Sequence, residues 1–290
     1  MPELPEVETI KLQLNKFLVG HEITSVEVRN KQSLAGNAGR KIFQGDEKRI
    51  VGAKVIDTRR FGKVTVIDLD NKYSILTHVK LTGQFIYRGP NLKVDSLSKK
   101  VIGGLGGPHT LVIFTLDKEG LLYYNDVRRF GWIKIVKSEK ILSDKFIKQL
   151  GPEPFKNLNF NYFSNLLSKS RRNIKTLLMD QSKISGVGNI YVNDALWLSK
   201  INPKRPAKSL SKKESKLLFN ALHTVLKAGL KYGGASELAF VTPDGKEGEY
   251  QNHTLVYGHQ GKICKSCKIN KIEKFFLGGR GTYWCSLCQK

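Results

Sequence analysis

The chain has 290 residues, 40% of them hydrophobic, and a formal charge of +24 from 49 basic and 25 acidic side chains. That length suits one large domain or two to three smaller ones, and the positive excess points to a polyanionic partner, nucleic acid before an anionic membrane face. No apolar run reaches the roughly 18 residues of a membrane span, and no basic-then-apolar stretch marks a signal peptide, so the expectation is a cytoplasmic protein without a membrane partner.

The chain opens MPELPEVETI. Proline after the start methionine is small enough for Met1 to be removed, which would leave the secondary amine of Pro2 beside Glu3, Glu6 and Glu8. An α-amino group titrates near ~8, so part of it is an unprotonated nucleophile at neutral pH. A secondary amine attacking carbon gives a permanently charged iminium, an electron sink for elimination. An ordinary processed terminus is the alternative. Val7, Ile10, Leu14 and Phe17 then fall at helical spacing over 5–18, with Pro5 and the acids suiting the helix start.

From about 21 to 136 the pattern becomes short β-type runs. VTVIDL and YSILTHV flank DNK, and TLVIFTL and LLYYNDV flank DKEG, as in an antiparallel sandwich or barrel. TRRFGKVTV puts Lys63 beside a basic hairpin. His78 sits in an apolar run, where a satisfied core histidine competes with a functional one. NDVRRFGW sets Arg128 and Arg129 next to Phe130, either a wedge for a DNA stack or an edge strand with solvated arginines. The stretch 91–109 reads as a loop.

LGPEPF at 150–155 reads as a linker. Helical patterns follow in FNYFSNLLS, IKTLLMDQ, YVNDALWLS and KESKLLFNALHTVLKAGLKY. Gly186 and Gly188 precede Asn189 at a helix start, an arrangement that suits a phosphate or merely a turn. Residues 233–250 are glycine-rich and polar, and are expected to form a mobile loop. Cys264, Cys267, Cys285 and Cys288 form two C-x-x-C knuckles with 17 residues between, the spacing of a four-cysteine zinc site. Two disulfides are the alternative. Between the knuckles, GGRGTYWC places Arg280 at a glycine turn, positioned to grip a phosphate. The expected division is 1–150, a β-sandwich with a leading helix; 151–245, helical; and 246–290, a zinc hairpin.

Taken together, PELPEVET, RRFGK, THVKLTG, DVRRFG, LGPEP, LMDQ…GVGNIY, VYGHQGK and GRGTYWC-x-x-C, in that order, resemble the formamidopyrimidine-DNA glycosylase family of bacterial base-excision repair. The resemblance covers essentially the whole chain. It implies an α+β multidomain protein: an N-terminal antiparallel β-sandwich, a helix–two-turn–helix domain and a C-terminal zinc-ribbon hairpin holding one structural Zn2+. It implies a monomer that binds double-stranded DNA containing damaged bases, removes 8-oxoguanine and formamidopyrimidines, and cleaves the strand. Carried over by position, Pro2 is the nucleophile, Glu3 the general acid/base and Glu6 a supporting acid. Lys63, His78, Asn189 and Arg280 hold phosphates, Lys63 and Arg280 close to the chemistry. Arg128, Phe130 and Leu81 fill the gap left by the flipped base. Two departures stand out: Leu81 replaces the usual methionine, and Leu238 stands where arginine is frequent, in the loop that covers the base. The endonuclease VIII branch, which acts on pyrimidines, would more typically have glycine at Leu4. A non-catalytic zinc-ribbon protein would not need Pro2, Glu3 and Lys63.

Overall fold

The computed structural model describes residues 1–29, 43–90, 92 and 96–290. The rest of the expected β-type and loop stretches, 30–42, 91 and 93–95, lies outside the described residues. Contacts divide the chain into two units, Met1–Lys148 with Tyr232–Gln251 and Gln149–Lys231 with Asn252–Lys290. Residues 232–245, grouped by sequence with the helices, therefore pack with the first unit, and the cysteine-bearing tail packs with the helices. Among the described residues no helix is long and apolar enough to cross a membrane.

The first unit begins with helix α1 (Leu4–Leu18), which has Pro5 in its first turn and buries Val7, Ile10, Leu14 and Phe17. These four repeat at the spacing that puts them on one face. Among the described residues nine strands follow: β1 (Ile23–Val28), β2 (Phe43–Gln44), β3 (Val55–Phe61), β4 (Val64–Leu69), β5 (Tyr73–His78), β6 (Gly83–Arg88), β7 (Thr110–Leu116), β8 (Leu121–Asp126) and β9 (Trp132–Lys137). They form two sheets, ordered β1-β7-β8-β6 and β2-β9-β5-β4-β3. Every pairing is antiparallel except the two-residue β2–β9 contact, which is parallel. Ile67, Ile75 and Ile133 from one sheet meet Phe85, Phe114, Leu122 and Tyr124 from the other, with Leu14 and Leu18 of α1 and Phe240 completing the core. Each such side chain stabilises the fold by about 1.5–3 kcal/mol relative to exposure. This is the expected sandwich. A short helix, α2 (Lys145–Lys148), ends the first segment of this unit.

The second unit contains α3 (Phe160–Ser168), α4 (Ile174–Leu178), α5 (Asn189–Leu198), α6 (Lys212–Lys231) and a hairpin of β10 (Glu273–Leu277) and β11 (Arg280–Trp284). Asn159 caps α3 by accepting the Tyr162 N–H at 2.8 Å. Leu218, Leu222, Val225 and Leu226 form the buried stripe of α6, and the Tyr191 ring of α5 packs directly against Gly229. The start of α6 is fixed by a reciprocal cap: Ser211 N–H donates to Glu214 Oε2 at 2.8 Å, and Glu214 N–H donates to Ser211 Oγ at 3.2 Å.

Glu214 also accepts from Arg205 Nη1 at 2.5 Å. That hydrogen bond, against the opposing effect of burial and with help from Ser211, lowers the carboxyl from 4.5 to about 2. A lowered carboxyl stabilises the fold fully above its unfolded value, and that stability is lost as pH falls through the folded one. Glu214→Gln should therefore cost about 1–2 kcal/mol at neutral pH, a figure already reduced for solvent screening of a partly exposed pair. The wild-type advantage should shrink steadily in urea titrations below pH 4.5 and be gone near 2. A pH-independent difference would mean that the ion pair is not its source.

Candidate active site

In the first unit Pro2, Glu3 and Glu6 are buried, whereas Met1 is 44% exposed. Glu3 is the N-cap of α1, and its backbone N–H donates to Glu6 Oε2 at 2.7 Å. Glu6 Oε1 accepts the backbone N–H of Ala235 at 2.8 Å. Both carboxylate oxygens are thus committed at the positive end of a helix, where an anion is favoured. Two residues on, Glu8 accepts from Arg60 Nε at 2.6 Å, and Arg60 Nη1 donates to the Gly62 carbonyl at 3.0 Å. Burial pushes the Glu8 carboxyl up, and the Arg60 and Lys11 contacts more than offset it, leaving it below its usual value. Through Arg60 the first turns of α1 are tied to the β3–β4 turn, where Lys63 is buried.

His78, Leu81, Arg128 and Phe130 gather at one end of the sandwich. His78 pairs with Trp132 across β5 and β9, packs on the Trp132 and Phe146 rings, and accepts the Lys80 N–H on Nδ1 at 3.1 Å. Accepting at Nδ1 places the ring proton on Nε2. Leu81 is half-buried in the turn before β6, while Arg128 is exposed with its guanidinium 4.7 Å from the centre of the Phe130 ring. The buried Asp126 joins these two turns. It accepts from Thr82 Oγ1 at 2.5 Å and from the Gly131 N–H at 2.8 Å, and Arg128 N–H donates to Thr82 Oγ1 at 3.1 Å. Burial raises the Asp126 carboxyl, while bonds from Thr82 and the Gly131, Arg129 and Arg128 amides oppose the rise. Gly131 has no alternative: a Cβ there would lie 1.9 Å from Tyr124 Oη.

In the second unit, Gly278 and Gly279 connect β10 to β11 with φ of +57° and +70°. Two left-handed residues make the hairpin turn that suits strand twist, and Arg280 follows it, exposed and opposite Leu277. Asn189 opens α5 and donates to the Gly281 carbonyl at 3.1 Å. The fully buried Lys175 donates to that same carbonyl and to Thr282 Oγ1, each at 2.8 Å. Asn193 Oδ1 accepts the Tyr283 N–H at 2.8 Å, and Asp194 accepts the amides of Leu255, Val256 and Tyr257. The structure thus brings Asn189 and the Arg280 hairpin together.

The four cysteine sulfurs lie within 4.8 Å of one another, with Cys264–Cys288 at 3.8 Å and Cys267–Cys285 at 3.7 Å. All four are free thiols, so the disulfide alternative fails. A tetrahedral zinc with Zn–S near ~2.3 Å needs sulfurs about 3.8 Å apart. The donor set therefore fits a metal ion, and its chemistry there is structural, because four protein ligands leave no open position.

Residues 1–133 match the model of the formamidopyrimidine-DNA glycosylase N-terminal domain, and 150–240 match the formamidopyrimidine-DNA glycosylase H2TH domain. The chain belongs to the formamidopyrimidine-DNA glycosylase family. Glycosylases of that name from Heliobacterium modesticaldum and Streptococcus mutans are 34% and 35% identical to it, each over the full length of both chains. Among solved structures, a Lactococcus lactis FPG variant in complex with Fapy-dG-containing DNA superposes with a TM-score of 0.83 at 29% identity, covering all of both chains. MutM (FPG) from Thermus thermophilus gives 0.83 at 31%, covering 99% of this chain and 98% of that one. The glycosylase fold therefore extends over both units, and the protein is a DNA repair glycosylase.

Asp126, Thr82, Lys175 and Asn193 escaped the sequence reading of this glycosylase. Asp126 stands just before VRRFG, where an acid ending a strand signals a turn organiser; a lysine such as Lys175 in a helix carries no signal of burial. Asp126→Ala strands several buried donors, so it should cost about 2–3 kcal/mol of stability, against about 1 kcal/mol for Thr82→Val. It should also speed amide exchange at 128–131. Equal costs for the two variants in urea unfolding would remove Asp126 from the centre of this network.

Proposed function

We propose that the protein is a bifunctional glycosylase and abasic-site lyase that excises oxidised purines, 8-oxoguanine and formamidopyrimidines, from double-stranded DNA. It acts as a cytoplasmic monomer with one structural Zn2+ on Cys264, Cys267, Cys285 and Cys288. The observation that carries this reading is the buried Pro2–Glu3 pair, fixed through Glu6 at the start of α1, in a chain of this family.

With Met1 removed, the unprotonated Pro2 nitrogen attacks C1′ of the damaged nucleotide. The C1′–N bond breaks and the base leaves with its electron pair, while the Pro2 nitrogen gives up its proton, which balances the one the base takes up. Glu3 donates to the sugar ring oxygen as the ring opens, leaving a Pro2 iminium at C1′. Loss of a C2′ proton expels the 3′ phosphate, and a second elimination expels the 5′ phosphate. Water then hydrolyses the iminium and frees Pro2. C1′ is unreachable inside a duplex, so the nucleotide must flip out. Arg128, Phe130 and Leu81 offset the unstacking cost of a few kcal/mol. Lys63, His78, Asn189 and Arg280 grip phosphates, consistent with the large basic excess.

Borohydride should trap a covalent complex on an abasic-site duplex, and retention of Met1 should abolish it. Trapping at an undiminished rate by the Met1-retaining protein would move the nucleophile to a lysine.

Elemental analysis should find one zinc per chain. Cys285→Ser should lower metal content and weaken binding to intact and damaged duplexes alike, while the first unit melts unchanged. An active preparation free of metal would refute the zinc assignment.

A further inference from the structure

The two faces of the β10–β11 hairpin differ. Side chains alternate across a strand, and the register pairs Phe275 with Thr282 and Phe276 with Gly281. Phe275, Arg280, Thr282 and Trp284 therefore share one face, and Lys274, Phe276 and Tyr283 share the other. The first face is closed. Thr282 is buried and takes a hydrogen bond from Lys175, the Phe275 and Trp284 rings meet edge to face at 5.7 Å, and Lys204 Nζ lies 4.4 Å from the centre of the Phe275 ring. The second face is open. Phe276 is 73% exposed, and its cross-strand neighbour Gly281 has no side chain to cover it. Lys274 Nζ stands between two rings, 5.8 Å from the centre of Phe276 and 5.4 Å from that of Tyr283. The Tyr257 ring, 5.0 Å from Tyr283, extends the row. Charge here is one-sided: residues 252–290 hold seven basic side chains and one acid, Glu273. That acid lies on the closed face, where it accepts from Ser286 Oγ at 2.5 Å.

We propose that Lys274, Phe276 and Tyr283 form a platform on which unpaired nucleotides of a single strand stack, on the face of the hairpin away from Arg280. The protein thereby takes a partner outside the duplex reading given above, and the platform does not depend on the amine chemistry of Pro2. The chemistry of the face selects this occupant. An aromatic ring offers its π-face to any base, whereas inside a duplex the faces of the bases are covered by their neighbours. A lysine standing between the rings supplies charge for the phosphate that joins two stacked nucleotides. The one acid of the segment is turned to the other side, so nothing on the open face of the strands repels a polyanion. An apolar protein surface would suit Phe276 but would bury Lys274 without a counter-charge, which is costly. A strand that carries bases and phosphates in alternation satisfies the ring and the lysine together.

Anisotropy of a labelled oligothymidylate, titrated with the full zinc-loaded chain, tests the platform. Phe276→Ala should weaken binding about 5- to 100-fold, the range for losing one stacked base. Phe276→Leu, apolar but without a π-face, should lose nearly as much, while Phe276→Trp should bind at least as tightly as the wild type. Lys274→Ala should weaken binding and flatten the salt dependence by about 0.7 units of slope, the single-strand value for one phosphate contact. Because Phe276 is exposed, its variants should keep their zinc, melt as the wild type does and bind intact duplex unchanged. Oligothymidylate should also bind protein already saturated with unlabelled duplex, because the platform and Arg280 lie on opposite faces. A parallel titration with oligouridylate tells DNA from RNA as the source of the strand, the tighter of the two being the occupant. The proposal falls if Phe276→Ala leaves affinity for both oligonucleotides unchanged, the outcome for a ring that serves a protein partner. It falls equally if Phe276→Leu binds as the wild type does, if duplex and single strand weaken alike, or if duplex displaces the oligonucleotide completely.

Discussion

Glu6 is a buried carboxylate whose two oxygens face two backbone amides, Glu3 and Ala235, more than two hundred residues apart in the chain. Burying a charge costs heavily unless it is compensated. Here the compensation comes from charge-assisted hydrogen bonds and the positive end of α1. The arrangement fixes the direction in which Glu3 enters the helix and the place where residues 232–251 join the first unit. It also accounts for acids at the start of a strongly basic chain: the helix terminus favours them there. Positive charge elsewhere serves another purpose, since surface lysines and arginines interact with phosphates at a distance set by salt.

Much of the fold was legible in sequence because it depends on local periodicity. The α1 face, the hairpins around DNK and DKEG, the helices beyond 155 and the cysteine knuckles all follow from spacing between near neighbours. Candidate site residues could be named where several motifs stood in order. What sequence could not give was pairing at long range. Glycine content marked 233–250 as mobile, yet Gln84, Lys100 and Glu6 reach it from remote positions and satisfy its backbone. Likewise, Lys175 reads as an ordinary helical lysine but is a buried peg for the β11 backbone. Composition describes a segment's own preferences, and tertiary hydrogen bonds override them.

The two units solve one problem in different ways, which is how to hold an exposed group still. Arg128 and Phe130 sit on a turn whose amides converge on one acid, Asp126. Arg280 sits on a two-glycine turn whose strands are gripped from behind by Asn189, Lys175 and Asn193 and closed by four sulfurs. In both, the group that faces outward makes little of its own support. The support of each turn thus lies in residues other than the one it presents.

The chain passes between the units at 148/149, 231/232 and 251/252. The first unit is therefore not a product of the first 148 residues. During synthesis, which proceeds from the N-terminus at about 5–20 residues per second, the sandwich strands emerge early. Glu6 gains its second amide only when Ala235 appears, and Phe240 reaches the core later still. A ribosome-bound chain that has completed β9 still lacks the Ala235 amide on Glu6 and Phe240 in its core. The N-terminal turn is therefore completed last although it is made first.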